Sequence, residues 1–208
     1  MRGFLAVQRP ESRCSPPPAL SWLRDVTAPG VAFDDLVAAA DGWEPGAEGL
    51  TFLPYLAGER TPHADPNARR VFAGLCLRRN RGALVRAVLE GVALGLRDSF
   101  DLVTKLGGGR VSEPGRVSGG RARSALWLSI IASVLEVPLE RVAVEEGAAY
   151  GAALLGGVAG GVWTDVHEAI AAWVCTRDVV DPVPEWIERY RELQARFRRL
   201  YPALRTAG

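Results

Sequence analysis

From Arg81 to Leu106 the apolar residues Leu84, Val88, Val92, Leu96, Phe100 and Val103 recur every three or four positions, with Leu89 alongside. That spacing lines one face of a long α-helix, and Gly107-Gly108-Gly109 supplies its stop. A second amphipathic helix is predicted from Glu185 to Leu200 through Trp186, Tyr190, Leu193, Phe197 and Leu200. Its charged face mixes Glu and Arg, which reads as a solvated surface. Between these two the pattern alternates. "GRVSGG" reads as a strand with its turn, and "SALWLSIIASVLE" as a helix opened by Ser124 as cap. "PLERVAV" reads as a strand, "EEGAAYGAALLGGVAGG" as a helix and "DVHEAIAAWV" as a shorter one. Upstream, "SWLRD" gives a helical turn and "AFDDLVAAADGW" a short helix starting near Asp34. "GLTFLPYL" and "RVFAGLCL" read as strands flanking a Gly/Pro loop. Strands alternating with helices predict an α/β domain with a mostly parallel sheet. Residues 1 to about 18 show no period, and prolines at 10, 16, 17 and 18 predict an extended or disordered segment, foreign to the rest.

The chain has 208 residues, enough for one domain, or one and a half, with a buried core. A formal net charge of +1 gives no reason to expect a nucleic acid or an anionic membrane as partner. Lys105 is the only lysine among the basic residues. Cys14, Cys76 and Cys175 are scattered, which predicts reduced thiols and a cytoplasmic setting. The run Gly147 to Trp163 lacks charge, but it is short for a span of about 20 residues and rich in Gly and Ala. A helix packed closely against a sheet accounts for its small residues better.

Several chemistries are excluded. No Gly-Lys-Ser/Thr phosphate loop is present, and Ser112 stands where a dinucleotide fingerprint beginning at Gly107 needs its third glycine. His63 and His167 lie far apart with no cysteine pair, so zinc is not expected. His63 sits beside Asp65 in a Pro-rich loop, where a local turn bond suffices for it. There is no G-x-S-x-G elbow. What remains are two strand-to-helix turns made of small residues, Gly119-Gly120 before Ser124 and Gly147-Ala148-Ala149 after Val144. In open α/β sheets, ligands bind beyond the carboxyl ends of strands, and missing side chains let backbone N–H groups approach them. A tight turn and nothing more is the competing reading. Glu145 and Glu146 are accounted for by compensation of a helix dipole. Glu90 and Asp98 stand about 80° apart on the long helix and read as interface or solvent residues.

Four blocks in order carry a resemblance: "GLTFLPYLAGERTPHADPNARRVFAGL", "RAVLEGVALGLRDSF", "VSGGRARSALWLSIIASVLEVPLERV" and "EEGAAYGAALLGG". From about Ser21 to about Arg205 the chain resembles the C-terminal half of the FGGY carbohydrate kinases. The "YLAGERTPHADPNAR" loop is most similar to the xylulokinase branch of that family. The resemblance implies an actin-like, ribonuclease-H-like domain with a mixed sheet flanked by helices, incomplete at its N-terminal edge and occupying residues 19–208. It implies ATP as cofactor, with Mg2+ held mainly through the nucleotide, and a sugar as substrate of the complete enzyme. Gly119, Gly120, Ala122, Ser124 and Ser21 then fall at nucleotide-binding positions. Gly147, Ala148 and Gly151 fall on the connecting helix where two lobes meet. No residue here matches the family's catalytic aspartate, which the resemblance places in the missing part, along with the N-terminal lobe. The chain departs from the family at Arg70 and Arg121, where small residues are usual, at Ala83, where a polar one is usual, and at Pro16-Pro17-Pro18. These departures and the absent lobe imply a domain inactive alone, or a non-catalytic module that pairs with another chain. Glycerol, gluconate and rhamnulose are the alternative substrates.

Overall fold

The computed structural model describes residues 18–55, 65–106, 114–118, 123–143 and 147–205. The 26-residue helix α3, Arg81–Leu106, is the axis of the molecule and keeps the limits its apolar period predicts. From Gly82 to Leu94 it is buried on nearly every side, because α1 (Pro18–Thr27), α2 (Phe33–Asp41) and strand β1 (Thr51–Leu53) all pack on it. Two glycines permit that approach. An added Cβ would stand 2.2 Å from the Ala39 carbonyl oxygen at Gly82, and 2.1 Å from that of Phe52 at Gly91. Strand β1 pairs antiparallel with β2 (Val71–Ala73), Phe52 opposite Phe72. Both strands are far shorter than the runs that announced them.

The second sheet holds β3 (Gly115–Val117), β4 (Leu139–Val142) and β5 (Thr176–Val180), in that order. Strands β3 and β4 are parallel, joined through α4 (Ala125–Leu135). Strand β5 runs antiparallel to β4, so the expected mostly parallel sheet is not found among the described residues. Helices α5 (Gly147–Ala159) and α6 (Val166–Trp173) cause this. They form an antiparallel pair, with the Tyr150 hydroxyl at the start of α5 donating to the Trp173 carbonyl at the end of α6 (2.7 Å). An up-and-down pair returns the chain to the edge it left, and the next strand must run back.

Helix α7 (Pro184–Arg205) closes the core with Tyr190, Leu193, Phe197 and Tyr201, against α3, α4 and β1. Its partly exposed side forms an ionic seam. Arg97 on α3 donates to Asp101 (2.8 Å), to Glu136 (3.3 Å) and to the Val134 carbonyl at the end of α4 (2.6 Å). Arg191 reaches Glu136 at 2.5 Å, and Arg198 bridges Asp98 and Asp101, each at 2.6 Å. Burial alone would raise the Asp101 carboxyl, but Arg198 and Arg97 hold it below the usual carboxylate range. The bound Arg191 guanidinium likewise lowers Glu136, against the opposing effect of burial.

Glu90 and Asp98 are not solvent residues; both are buried. Glu90 Oε1 accepts from Arg86 Nε (2.7 Å), the Gly46 N–H (2.9 Å) and the Tyr190 hydroxyl (3.1 Å). Arg86 also donates to Tyr190 and stacks over the Trp186 ring. A buried ion pair persists where hydrogen bonds satisfy the remaining donors and acceptors, as three do here. Burial pushes the Glu90 carboxyl up, and Arg86 pulls it back most strongly.

Candidate nucleotide-binding cleft

Strands β3 and β4 are parallel, so their carboxyl ends, at Val117 and Val142, lie on one edge of the sheet. From that edge the chain passes to α4 and to α5. The backbone enters α4 at Ser124, whose extended conformation (φ −79°, ψ 113°) turns its Oγ onto the helix end. Oγ accepts the Trp127 N–H at 3.1 Å, the expected cap, and the hydroxyl proton remains available to donate.

Beside this helix end is a cleft of about 270 Å³ between α2 and α4. Ser124, Ala125 and Leu126 line one wall, and Asp34, Val37, Ala38 and Asp41 line the other. Those four α2 residues fall at i, i+3, i+4 and i+7, one stripe of the helix. The wall is apolar at its middle and acidic at both ends, and among the described residues no basic one lines the cleft. Sequence reading missed this wall. Its signal was the stripe spacing on α2, which reads equally well as an ordinary amphipathic face.

Of the other predicted nucleotide-binding positions, Gly119, Gly120 and Ala122 lie outside the described residues, as do Arg121, His63, Glu145 and Glu146. Ser21 is half-buried on α1 and does not line the cleft. Gly147 and Ala148 open α5, but their side-chain surroundings are not described. Gly151 lies one turn further on, and a Cβ there would meet nothing within 4 Å. The close packing of α5 on a sheet, expected from its small residues, is therefore absent at Gly151 and equally at Gly156. The tight contact is at Gly157, against the Trp163 ring of the following turn. Among the described residues no cluster of three His, Cys, Asp or Glu could hold a metal ion. No described helix is long and apolar enough to cross a membrane.

The C-terminal domain of the FGGY family of carbohydrate kinases matches residues 19–160. This chain belongs to that family. It is 31% identical over 185 residues to the xylulose kinase of Staphylococcus epidermidis, covering 88% of this chain and 36% of the relative. The glycerol kinase of Gloeobacter violaceus is 35% identical, covering 86% of this chain and 35% of that protein. The solved xylulose kinase from Rhodospirillum rubrum superposes with a TM-score of 0.77 at 34% identity, over 90% of this chain and 38% of the other. The chain thus spans about a third of the length of the curated relatives it matches. The FGGY likeness fixes the fold as an actin-like, ribonuclease-H-like α/β domain with a mixed sheet. The FGGY match ends before α6, β5 and α7, yet α7 supplies a wall of the core that encloses α3.

Proposed function

We propose that this FGGY domain is the nucleotide-binding part of an ATP-dependent xylulose kinase. The proposed reaction of the complete enzyme is ATP plus D-xylulose to ADP plus D-xylulose 5-phosphate. One observation carries the nucleotide reading: the cleft opens at the Ser124 helix cap, where the chain arrives from the carboxyl end of β3. Its lining suits a nucleoside. Val37, Ala38, Ala125 and Leu126 offer an apolar surface to a purine face. Asp34 and Asp41 accept hydrogen bonds from amino or hydroxyl groups, and the Ser124 hydroxyl donates one. Asp34 and Asp41 repel phosphate, so the phosphates are proposed to extend away from these two carboxylates. Gly119 and Gly120 precede the cap, and their missing side chains are proposed to let ribose and base lie against the backbone. Magnesium would arrive on the nucleotide and offset phosphate charge during transfer, a reaction that consists mainly of positioning and electrostatics. The names of the relatives favour xylulose over glycerol as the sugar.

Calorimetric titration of the 208-residue chain tests the reading. ATP and adenosine should both bind, because the cleft grips the nucleoside. Asp34→Ala and Gly120→Ala should each weaken both ligands several-fold, with Gly120→Ala changing stability by less than about 1 kcal/mol. Unaltered affinity in both variants would place the nucleoside elsewhere. In a coupled ADP-release assay the chain alone should show no xylulose-dependent turnover. Losing a catalytic base or an electrostatic phosphate cradle costs factors of about 10² to 10⁴ each. Clear sugar-dependent turnover would overturn this part of the proposal.

A further inference from the structure

The nine residues 56–64 connect Tyr55 to Asp65, within the loop that most resembles the xylulokinase branch. Both ends of this connection meet the same side chain. Tyr201, near the end of α7 and 8% exposed, donates its hydroxyl to Asp65 Oδ2 at 2.6 Å. Its ring stands edge-on to that of Tyr55, with centroids 5.7 Å apart and planes at 89°. Tyr55 is itself 3% exposed, so this contact belongs to the core. The Asp65 carboxylate is fixed from a second side, since Oδ1 accepts the Asn67 N–H at 2.8 Å. The Tyr201 hydroxyl, followed by that Asn67 N–H, holds the Asp65 carboxyl below the usual range. The acceptor is therefore charged at neutral pH, and a hydrogen bond to a charged oxygen is the stronger kind. Nothing in the family match assigns this role, because α7 lies beyond residues 19–160.

We infer that Tyr201 is a positioning residue that clasps both ends of the 56–64 connection, so that the C-terminal helix sets the gap this segment bridges. The ring fixes the Tyr55 end by packing, and the hydroxyl fixes the Asp65 end by its hydrogen bond. Removing the hydroxyl alone frees one end while keeping the ring in the core. The effect should appear in the connection and not in the core around α3. This inference does not depend on which sugar, or which nucleotide, the family member uses.

Hydrogen exchange on the full chain, read by mass spectrometry, tests it. Tyr201→Phe and Asp65→Ala should each raise exchange across 56–64 by at least about threefold and leave peptides of α3 unchanged. Trypsin should cut after Arg60 faster in both variants. The double variant should exchange no faster than Asp65→Ala alone, because that variant already removes the Tyr201 bond together with the Asn67 one. A purely structural role would slacken α3 peptides together with the connection. Should Tyr201→Phe loosen the whole core, Asp65→Ala decides: a selective increase supports the clasp and no increase overturns it. Exchange equal to wild type in both variants, or effects that multiply in the double variant, also overturns it.

Discussion

Glu90 shows what one buried charge does in this fold. Its carboxylate joins α3 to the Gly46 backbone, to Tyr190 on α7 and to its own Arg86. Glu90→Ala would leave the Arg86 guanidinium buried beside Tyr190 with its main counter-charge gone. Breaking a buried pair from one side costs about 3–5 kcal/mol, and denaturant unfolding should show a loss of that size. A loss below about 1 kcal/mol would mean that water reaches Arg86. The surface seam behaves differently, and its pH dependence has a definite sign. Asp101 and Glu136 are both held below their ordinary values, so their contribution to stability is complete above the unfolded range of about 4. It is lost as pH falls through the lowered folded values. The melting temperature of wild type should therefore drop on acidification below that range. Asp101→Asn with Glu136→Gln should be less stable at pH 7 and lose less on acidification. Parallel curves for the two proteins would show that the seam contributes nothing.

Helix α3 gives a paired test at the scale of an element. Gly91 and Gly95 stand one turn apart on it. At Gly91 an added Cβ meets the Phe52 carbonyl oxygen at 2.1 Å, and backbone cannot yield. At Gly95 the nearest atom is Pro54 Cγ at 3.6 Å, an ordinary contact. Alanine gains about 1 kcal/mol over glycine inside a helix. Gly95→Ala should therefore stabilise by up to about that amount. Gly91→Ala should destabilise despite the same gain, since overpacking costs about 1–3 kcal/mol. Thermal melts that move in the same direction would show that α3 and β1 are not in close contact. The sequence made α3 legible because its period persists for seven turns and a glycine cluster follows. The cap at Ser124 was legible for a local reason too, a short polar side chain just before an apolar run. Strand β5, "TRDVV", was not read at all. It is an exposed edge strand from Thr176 to Val179, so no alternation of apolar and polar residues marks it. The burial of Glu90 was equally hidden. Arg86 four residues earlier was visible, but Tyr190 lies 100 residues away and only the fold brings it there.

For the molecule as a whole, the sequence carried the class of fold and the family, since four ordered blocks suffice for both. It did not carry the α2 wall of the cleft, because Asp34 and Asp41 become site residues only when α4 ends opposite them. Nor did it show which apolar residues would lack cover. On α5 no described residue is buried, and Leu155, Val162, Val166 and Trp173 along the α5–α6 pair are all exposed. The pair holds itself together through the Tyr150 hydrogen bond and the Trp163–Trp173 ring contact. Those contacts leave its outer apolar surface facing water. Open space beside Gly151 and Gly156 adds room for another backbone to approach. Exposed apolar side chains gathered on one helix pair favour association with another molecule. The chain at high concentration should therefore self-associate in light scattering. Leu155→Glu with Val162→Glu should reduce association, by placing charges that resist burial on the uncovered side. Because both side chains are more than half exposed, the double variant should lose little stability. A monodisperse monomer at high concentration would show that this surface is tolerated by water as it stands. Association that persists in the double variant would move its cause to another exposed apolar group, such as Leu75 and Leu77 after β2 or Val103 and Leu106 at the end of α3.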